Sequence, residues 1–190
     1  MRLALLALMP VTMFASPAFA HPAPDQSDSL TSGILHPLTG ADHVVVMASV
    51  GLWAAFVGGR AIWAWPATFV TVMLAGFGAA RLGFQISFIE TAISASIAVF
   101  GLLAATRIKA PLAFGAAIVG FFAFFHGHAH GTEATAVSIV PYAAGFTFST
   151  SLLLATGIGL GLSTRSLIER IAVRSMRRVQ GAAGGDRGLP

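Results

Sequence analysis

Two short segments of this chain combine histidine with a carboxylate, and both lie at the ends of long apolar runs. One is HPLTGADH, residues 36–43, and the other is HGHAHGTE, residues 126–133. Together they hold five of the six histidines of a 190-residue chain in which 9% of the residues are charged. Imidazole and carboxylate groups bind divalent transition metals, and ionisable side chains at membrane depth are costly unless they serve a function. The pattern therefore predicts a metal site near one end of an apolar bundle.

The second segment supplies a helical face. At about 100° per residue, His126, His130 and Glu133 fall within one narrow stripe of a helix. His128 points to nearly the opposite side, so we expect it to take no part in the site.

The first segment places His36 and His43 on one helical face together with Met47, which we expect to pack in the core. Asp42 has three open roles. It can bind the metal itself, accept a hydrogen bond from a ligating imidazole, or cap a helix that starts at His43.

Glu90 is the one candidate outside both segments. It falls about two turns into the third predicted span, where we expect it to face the bundle interior as a ligand, a partner of a ligand or a proton carrier. The alternative is an ion pair with Arg81 near the membrane surface. The candidate metal-site residues are His36, Asp42, His43, Glu90, His126, His130 and Glu133.

The composition indicates a membrane protein. The hydrophobic fraction is 56% and the mean hydropathy is +0.82, with the apolar residues in long blocks. We predict an all-α, polytopic membrane helix bundle with about five transmembrane helices after a cleaved signal peptide. The predicted spans are 37–57, 61–80, 84–105, 110–129 and 137–162, with a kink or break at Pro141.

The ends of the chain predict its orientation. Residues 1–20 have the pattern of a secretory signal peptide, with an uncleaved first transmembrane helix as the alternative. A periplasmic segment, 21–36, would then precede the transmembrane bundle, 37–162, and a basic cytoplasmic tail, 163–190. The tail is predicted to form an interfacial helix, with a disordered, solvated tail as the alternative. Lys and Arg concentrate in the loops and the tail that this orientation places inside, as the positive-inside rule requires.

The residue types that are absent exclude several classes of chemistry. The chain has no cysteine, so a metal site must use nitrogen, oxygen or thioether ligands, which suits Ni²⁺, Co²⁺ or Zn²⁺ better than Cu⁺. HExxH, GxSxG and P-loop motifs are missing from the sequence, so we expect no enzyme, no ATP binding and no organic cofactor. The pI of about 11.1 arises from the loops and the tail, so we expect the lipid bilayer, and no nucleic acid, as a partner.

Longer stretches around these motifs resemble the HupE/UreJ family of nickel permeases. They are HPLTGADHVVVMASVGLWAA, FHGHAHGTE and PYAAGFTFSTSLLLATGIGLGL, set against the family patterns HPxxGxDHxxxMxxVGxWA and HGxAHGxE. The pattern positions in this chain are His36, Gly40, Asp42, His43, Met47, Gly51, Trp53, His126, Gly127, His130, Gly131 and Glu133. The resemblance ends at about Leu162, where the family usually has one more apolar helix.

The resemblance implies uptake of Ni²⁺ for hydrogenase or urease maturation, with some members of the family linked to cobalt. The ligand types leave Zn²⁺ open as well. The signal-peptide pattern and the loop charges predict a multi-pass protein of the bacterial inner membrane whose mature N-terminus is periplasmic. The alternative is a membrane accessory protein that captures periplasmic metal for a partner without transporting it. Polar groups are sparse in the inner halves of the spans, which favours that alternative. A metallohydrolase is a third hypothesis without a matching motif, and homo-oligomers and accessory partners are left open.

Overall fold

The computed structural model describes residues 30–134 and 139–184 of the chain. All the regular elements in these two ranges are helices, which confirms the all-α prediction. They are α1 (Leu30–Thr39), α2 (Ala41–Val57), α3 (Ala61–Arg81), α4 (Ile89–Thr106), α5 (Leu112–Glu133) and α6 (Ile139–Gly184). The predicted signal peptide, 1–20, lies outside the described residues.

The helices agree with the predicted number of spans. The four helices α3 to α6 are each long and apolar enough to cross a membrane, and α1 with α2 would make a fifth span. That fifth span is not the continuous helix predicted for 37–57. The structure begins it at Leu30 and bends it by 80° between α1 and α2.

Gly40 separates α1 from α2. Its backbone is extended, with φ −81° and ψ 110°, a conformation that interrupts the helical hydrogen-bond ladder. A side chain at this position would meet Asp42 Oδ1 and His43 Nδ1, each at 2.9 Å from the added carbon. Glycine therefore lets the chain turn while the next two polar side chains stay close to the break.

Helix α6 is longer than predicted. It has 46 residues, which corresponds to about 69 Å at the usual rise per residue. The described residues are helical on both sides of Pro141, so the structure shows no break of α6 at that position. A kink at Pro141 stays a prediction. A separate surface helix starting at Thr164 is also not seen, since α6 runs through that position without a break.

Three pairs of helices, α3 with α5, α2 with α6 and α1 with α6, pack with their backbones in contact. A carbon added at Gly127 of α5 would overlap the Met73 carbonyl of α3, and one at Gly76 of α3 would overlap the Phe124 carbonyl of α5. Small residues allow this approach in membrane bundles. The glycines that contact a neighbouring backbone in this way include Gly33, Gly51, Gly76, Gly127, Gly145 and Gly157.

Two arginines stabilise helix ends at opposite ends of the bundle. Arg81 donates to the Ala134 carbonyl at 2.6 Å and lies 3.4 Å from the Gly131 carbonyl, where α5 ends. Arg165 donates to the Ala55 carbonyl at 2.9 Å, near the end of α2. Positive charge at a helix C-terminus is favourable. We call the end with Arg81 the histidine end, and the end with Arg165 the basic end.

Large rings fill the core between the two ends. The Trp53 and Trp65 ring centroids are 4.2 Å apart, and Trp53 lies 6.4 Å from Phe100. Each indole N–H is bonded to a backbone carbonyl, at 2.7 Å for Trp53 and 3.0 Å for Trp65. We call the fully buried residues Trp53, Trp65, Phe69 and Phe100 the aromatic layer.

Candidate metal centre

Three histidines from α1, α2 and α5 meet at the histidine end. His36, His43 and His130 each offer one ring nitrogen, and these three atoms lie within 4.8 Å of one another. Metal–nitrogen bonds of about 2.1 Å in a tetrahedral site would place the nitrogens about 3.4 Å apart. Small rotations of the side chains would therefore be enough to hold an ion. We call these three residues the three-histidine cluster.

The break between α1 and α2 brings His36 and His43 together, with ring centroids 5.9 Å apart. The predicted helical face shared by His36, His43 and Met47 is wrong, because α1 ends at Thr39 and α2 begins at Ala41. Met47 is fully buried in the core, as predicted.

Helix α5 presents the predicted stripe. The His130 ring centroid lies 4.8 Å from those of both His36 and His43, and the Glu133 carboxylate lies 3.0 Å from His36 Nε2. His128 is on another face, where its Nε2 is 2.8 Å from the Phe84 carbonyl. The prediction that His128 points away from the site is confirmed.

Two carboxylates decide which ring nitrogens are free to bind metal. Asp42 Oδ1 lies 3.1 Å from His43 Nδ1, and Glu133 Oε2 lies 3.0 Å from His36 Nε2. Ionised carboxylates only accept hydrogen bonds, so these ring nitrogens donate their protons. His36 Nδ1 and His43 Nε2 then keep their lone pairs, which is how metal sites orient ligating imidazoles. Of the three roles open for Asp42, the geometry matches that of hydrogen-bond acceptor.

We expect Asp42→Asn to weaken metal binding by about 10- to 100-fold. The substitution keeps the shape of the side chain, but a neutral amide no longer holds His43 in one tautomer. Competition with a chromophoric chelator in detergent measures the affinity. Glu169→Gln, at an exposed carboxylate of α6, is the control and should bind metal as the wild type does. Wild-type affinity in Asp42→Asn would contradict this role of Asp42.

His130 is the most enclosed member of the cluster. Its side chain is fully buried, and neither ring nitrogen has a hydrogen-bond partner among the described residues. The ring stacks on Phe146 of α6, with centroids 4.8 Å apart and planes at 12°. Buried polar atoms without partners are costly, so an ion at this position would satisfy a group that the protein itself leaves open.

His126 lies deeper along the same face of α5. Its ring centroid is 5.0 Å from that of His43, and its Nε2 is 3.1 Å from Ser96 Oγ of α4. It is not one of the three residues whose nitrogens come within 4.8 Å of one another. No sequence pattern singles out Ser96 or Phe146, because serine and phenylalanine are common in apolar helices.

The structure does not bring Glu90 to the cluster. Helix α4 begins at Ile89 rather than at the predicted residue 84, so Glu90 is in the first turn and its side chain is exposed. It does not face the bundle interior as expected. Arg81, the alternative partner, directs its guanidinium to the backbone carbonyls at the end of α5. A metal-binding role for Glu90 stays a prediction.

Comparison with known proteins places this chain in a family. The HupE / UreJ protein family matches residues 8–188, so the similarity continues beyond Leu162, where the resemblance was expected to end. Protein HupE from Rhizobium leguminosarum bv. viciae is 40% identical over 148 residues, which is 77% of this chain and 78% of that protein. No solved structure matches this chain. The extent of the family match and the identity to that relative show that the chain belongs to the HupE/UreJ family.

Proposed function

We propose that this protein is a membrane permease for divalent transition-metal ions, with Ni²⁺ as its main substrate. The observation that carries this proposal is the three-histidine cluster at the break between α1 and α2. Secondary transporters commonly bind their substrates where a transmembrane helix is discontinuous. The cluster combines such a break with ligands that suit a metal ion.

The ligand set narrows the choice of ion. Imidazole nitrogens supported by carboxylates, with no thiolate in the chain, suit Ni²⁺, Co²⁺ and Zn²⁺. Membership of the HupE/UreJ family is the reason for placing Ni²⁺ first. The same membership supports delivery of the ion to hydrogenase or urease maturation.

Exposure decreases from the surface into the site. The Glu133 side chain is 52% exposed, that of His36 28% and that of His43 9%, while His130 is fully buried. Negative charge at the entrance raises the local concentration of cations. An ion would therefore enter from the histidine end, which is the periplasmic side in the predicted orientation.

The basic end is closed in the described conformation by the aromatic layer. The few polar residues in the inner halves of the spans include Thr71, Thr106, Thr156 and Ser163. All four side chains are exposed and donate to carbonyls of their own helices. Transport therefore requires the aromatic layer to rearrange, as alternating access would provide. The closed layer is also the observation that favours the second candidate, an accessory protein that captures metal without transporting it.

Uptake by proteoliposomes tests the proposal. The purified protein should give saturable Ni²⁺ uptake above that of protein-free liposomes, with Co²⁺ and Zn²⁺ as competing ions. Mg²⁺ should compete poorly because it prefers oxygen ligands. Ni²⁺ binding without any uptake would reject the permease in favour of the accessory protein.

A further inference from the structure

We propose that His126 forms a second, deeper ion position, which shares His43 with the three-histidine cluster and is held in its binding form by Ser96. The proposal rests on the function proposed above and deepens it, because it gives the ion two successive positions on its way to the aromatic layer.

Ser96 determines the tautomer of His126. The Ser96 hydroxyl lies 2.6 Å from the Ile93 carbonyl, which can only accept, so the single hydroxyl hydrogen is used there. Toward His126 Nε2, at 3.1 Å, the Ser96 oxygen must therefore accept. A neutral imidazole has one N–H. With that proton on Nε2, His126 Nδ1 carries a lone pair.

His126 and His43 each have one buried ring nitrogen without a hydrogen-bond partner in the described part of the chain. His126 Nδ1 and His43 Nε2 both lack a hydrogen-bond partner among the residues that the structure describes. The Asp42 carboxylate occupies the other nitrogen of His43. Each ring is thus bonded on one nitrogen and left unpaired on the nitrogen that can bind metal.

His43 is close to both deeper and shallower histidines of α5. Its ring centroid is 4.8 Å from that of His130 and 5.0 Å from that of His126. An ion held by the three-histidine cluster can keep its bond to His43 while it exchanges His36 and His130 for His126. The ion would then move deeper without leaving imidazole ligands.

The second position borders the aromatic layer. The Phe69 ring centroid is 5.9 Å from that of His126, and both Ser96 and His126 are fully buried. Two imidazoles hold an ion less tightly than three, and a pathway needs sites weak enough to release their ion. The geometry therefore suits a transfer position and not a storage site.

Ser96→Ala tests the proposal in the full-length protein. We expect Ni²⁺ affinity, measured in detergent, to stay within about twofold of wild type, because the three-histidine cluster is intact. Uptake by proteoliposomes should fall by about 10-fold or more, since His126 loses the group that fixes its tautomer. The control is Thr150→Val, which removes another fully buried hydroxyl, one that lies 3.7 Å from Met73 Sδ. It should keep wild-type uptake.

A second measurement needs neither metal nor transport. In metal-free protein labelled with ¹⁵N-histidine, NMR should show several rings protonated at Nε2, because His36 and His128 also direct Nε2 to acceptors. One set of these signals should vanish in His126→Gln and change toward a mixture of tautomers in Ser96→Ala. A His126 ring protonated at Nδ1 in the wild type would overturn the proposal, as would wild-type uptake by Ser96→Ala. If Ser96→Ala lost Ni²⁺ affinity and Ni²⁺ uptake to the same extent, His126 would belong to a single four-histidine site, and there would be no separate second position. If the wild type takes up no metal, the proposed permease function is rejected. The NMR result still decides whether Ser96 determines the tautomer of His126.

Discussion

His130→Ala should reduce Ni²⁺ affinity by about 100-fold or more and abolish metal uptake, while the protein remains folded. Removing a metal ligand should reduce the affinity for Ni²⁺ at least as much as removing the residue that orients a ligand. His130 is the central member of the cluster, since its ring centroid lies 4.8 Å from those of both His36 and His43. Chelator competition in detergent and uptake by proteoliposomes measure the two effects.

His128→Ala is the matched control, because His128 lies on the same helix and is equally buried. Its Nε2 is committed to the Phe84 carbonyl at 2.8 Å, away from the cluster. We expect an affinity close to that of the wild type and a lower midpoint of thermal unfolding, because the carbonyl loses its partner. Equal losses of affinity in the two variants would show that the wrong face of α5 has been assigned to the metal.

Gly127→Ala should destabilise the bundle by about 1–3 kcal/mol. The added methyl group would overlap the Met73 carbonyl, and a backbone carbonyl within α3 cannot move aside as a flexible side chain would. Helices α3 and α5 would have to separate. Because His126 and His130 lie within one helical turn of Gly127 on α5, metal affinity should fall as well. Thermal unfolding in detergent gives the change in stability.

Gly78→Ala and Gly101→Ala serve as controls for this substitution. Both glycines lie within helices, and a carbon added at either would meet open space. Alanine is the better helix former by about 1 kcal/mol, so these variants should be as stable as the wild type or slightly more stable. If Gly127→Ala unfolded at the same temperature as these controls, close packing of α3 against α5 would not be a source of stability.

Much of the site on α5 could be predicted because it depends on local geometry. His126, His130 and Glu133 share a stripe on any regular α-helix, and His128 is excluded from that stripe by the same rotation per residue. Here α5 is regular through Glu133. Its glycines do not loosen it, since they are positions of close contact with α3.

The site on α1 and α2 could not be predicted in the same way. Helical spacing placed His36 and His43 on one face of one helix, whereas the chain turns by 80° between them. Both sides of that turn pack on a partner that is distant in the sequence. Helix α1 packs on α6, where added carbons at Gly33 and Gly145 would meet the opposite backbone.

The sequence by itself determined the membrane class, the approximate spans and the two histidine segments, because hydrophobicity and helical periodicity are properties of neighbouring residues. Only the tertiary structure decided which ring nitrogens have a hydrogen-bond partner among the described residues and which are left without one. Their tautomers depend on contacts between helices, such as Glu133 with His36 and Ser96 with His126. The exposed position of Glu90 was likewise decided by where α4 begins. Helices α1, α4 and α5 come together through the packing of the whole bundle. The spacing of residues along the chain does not predict that packing.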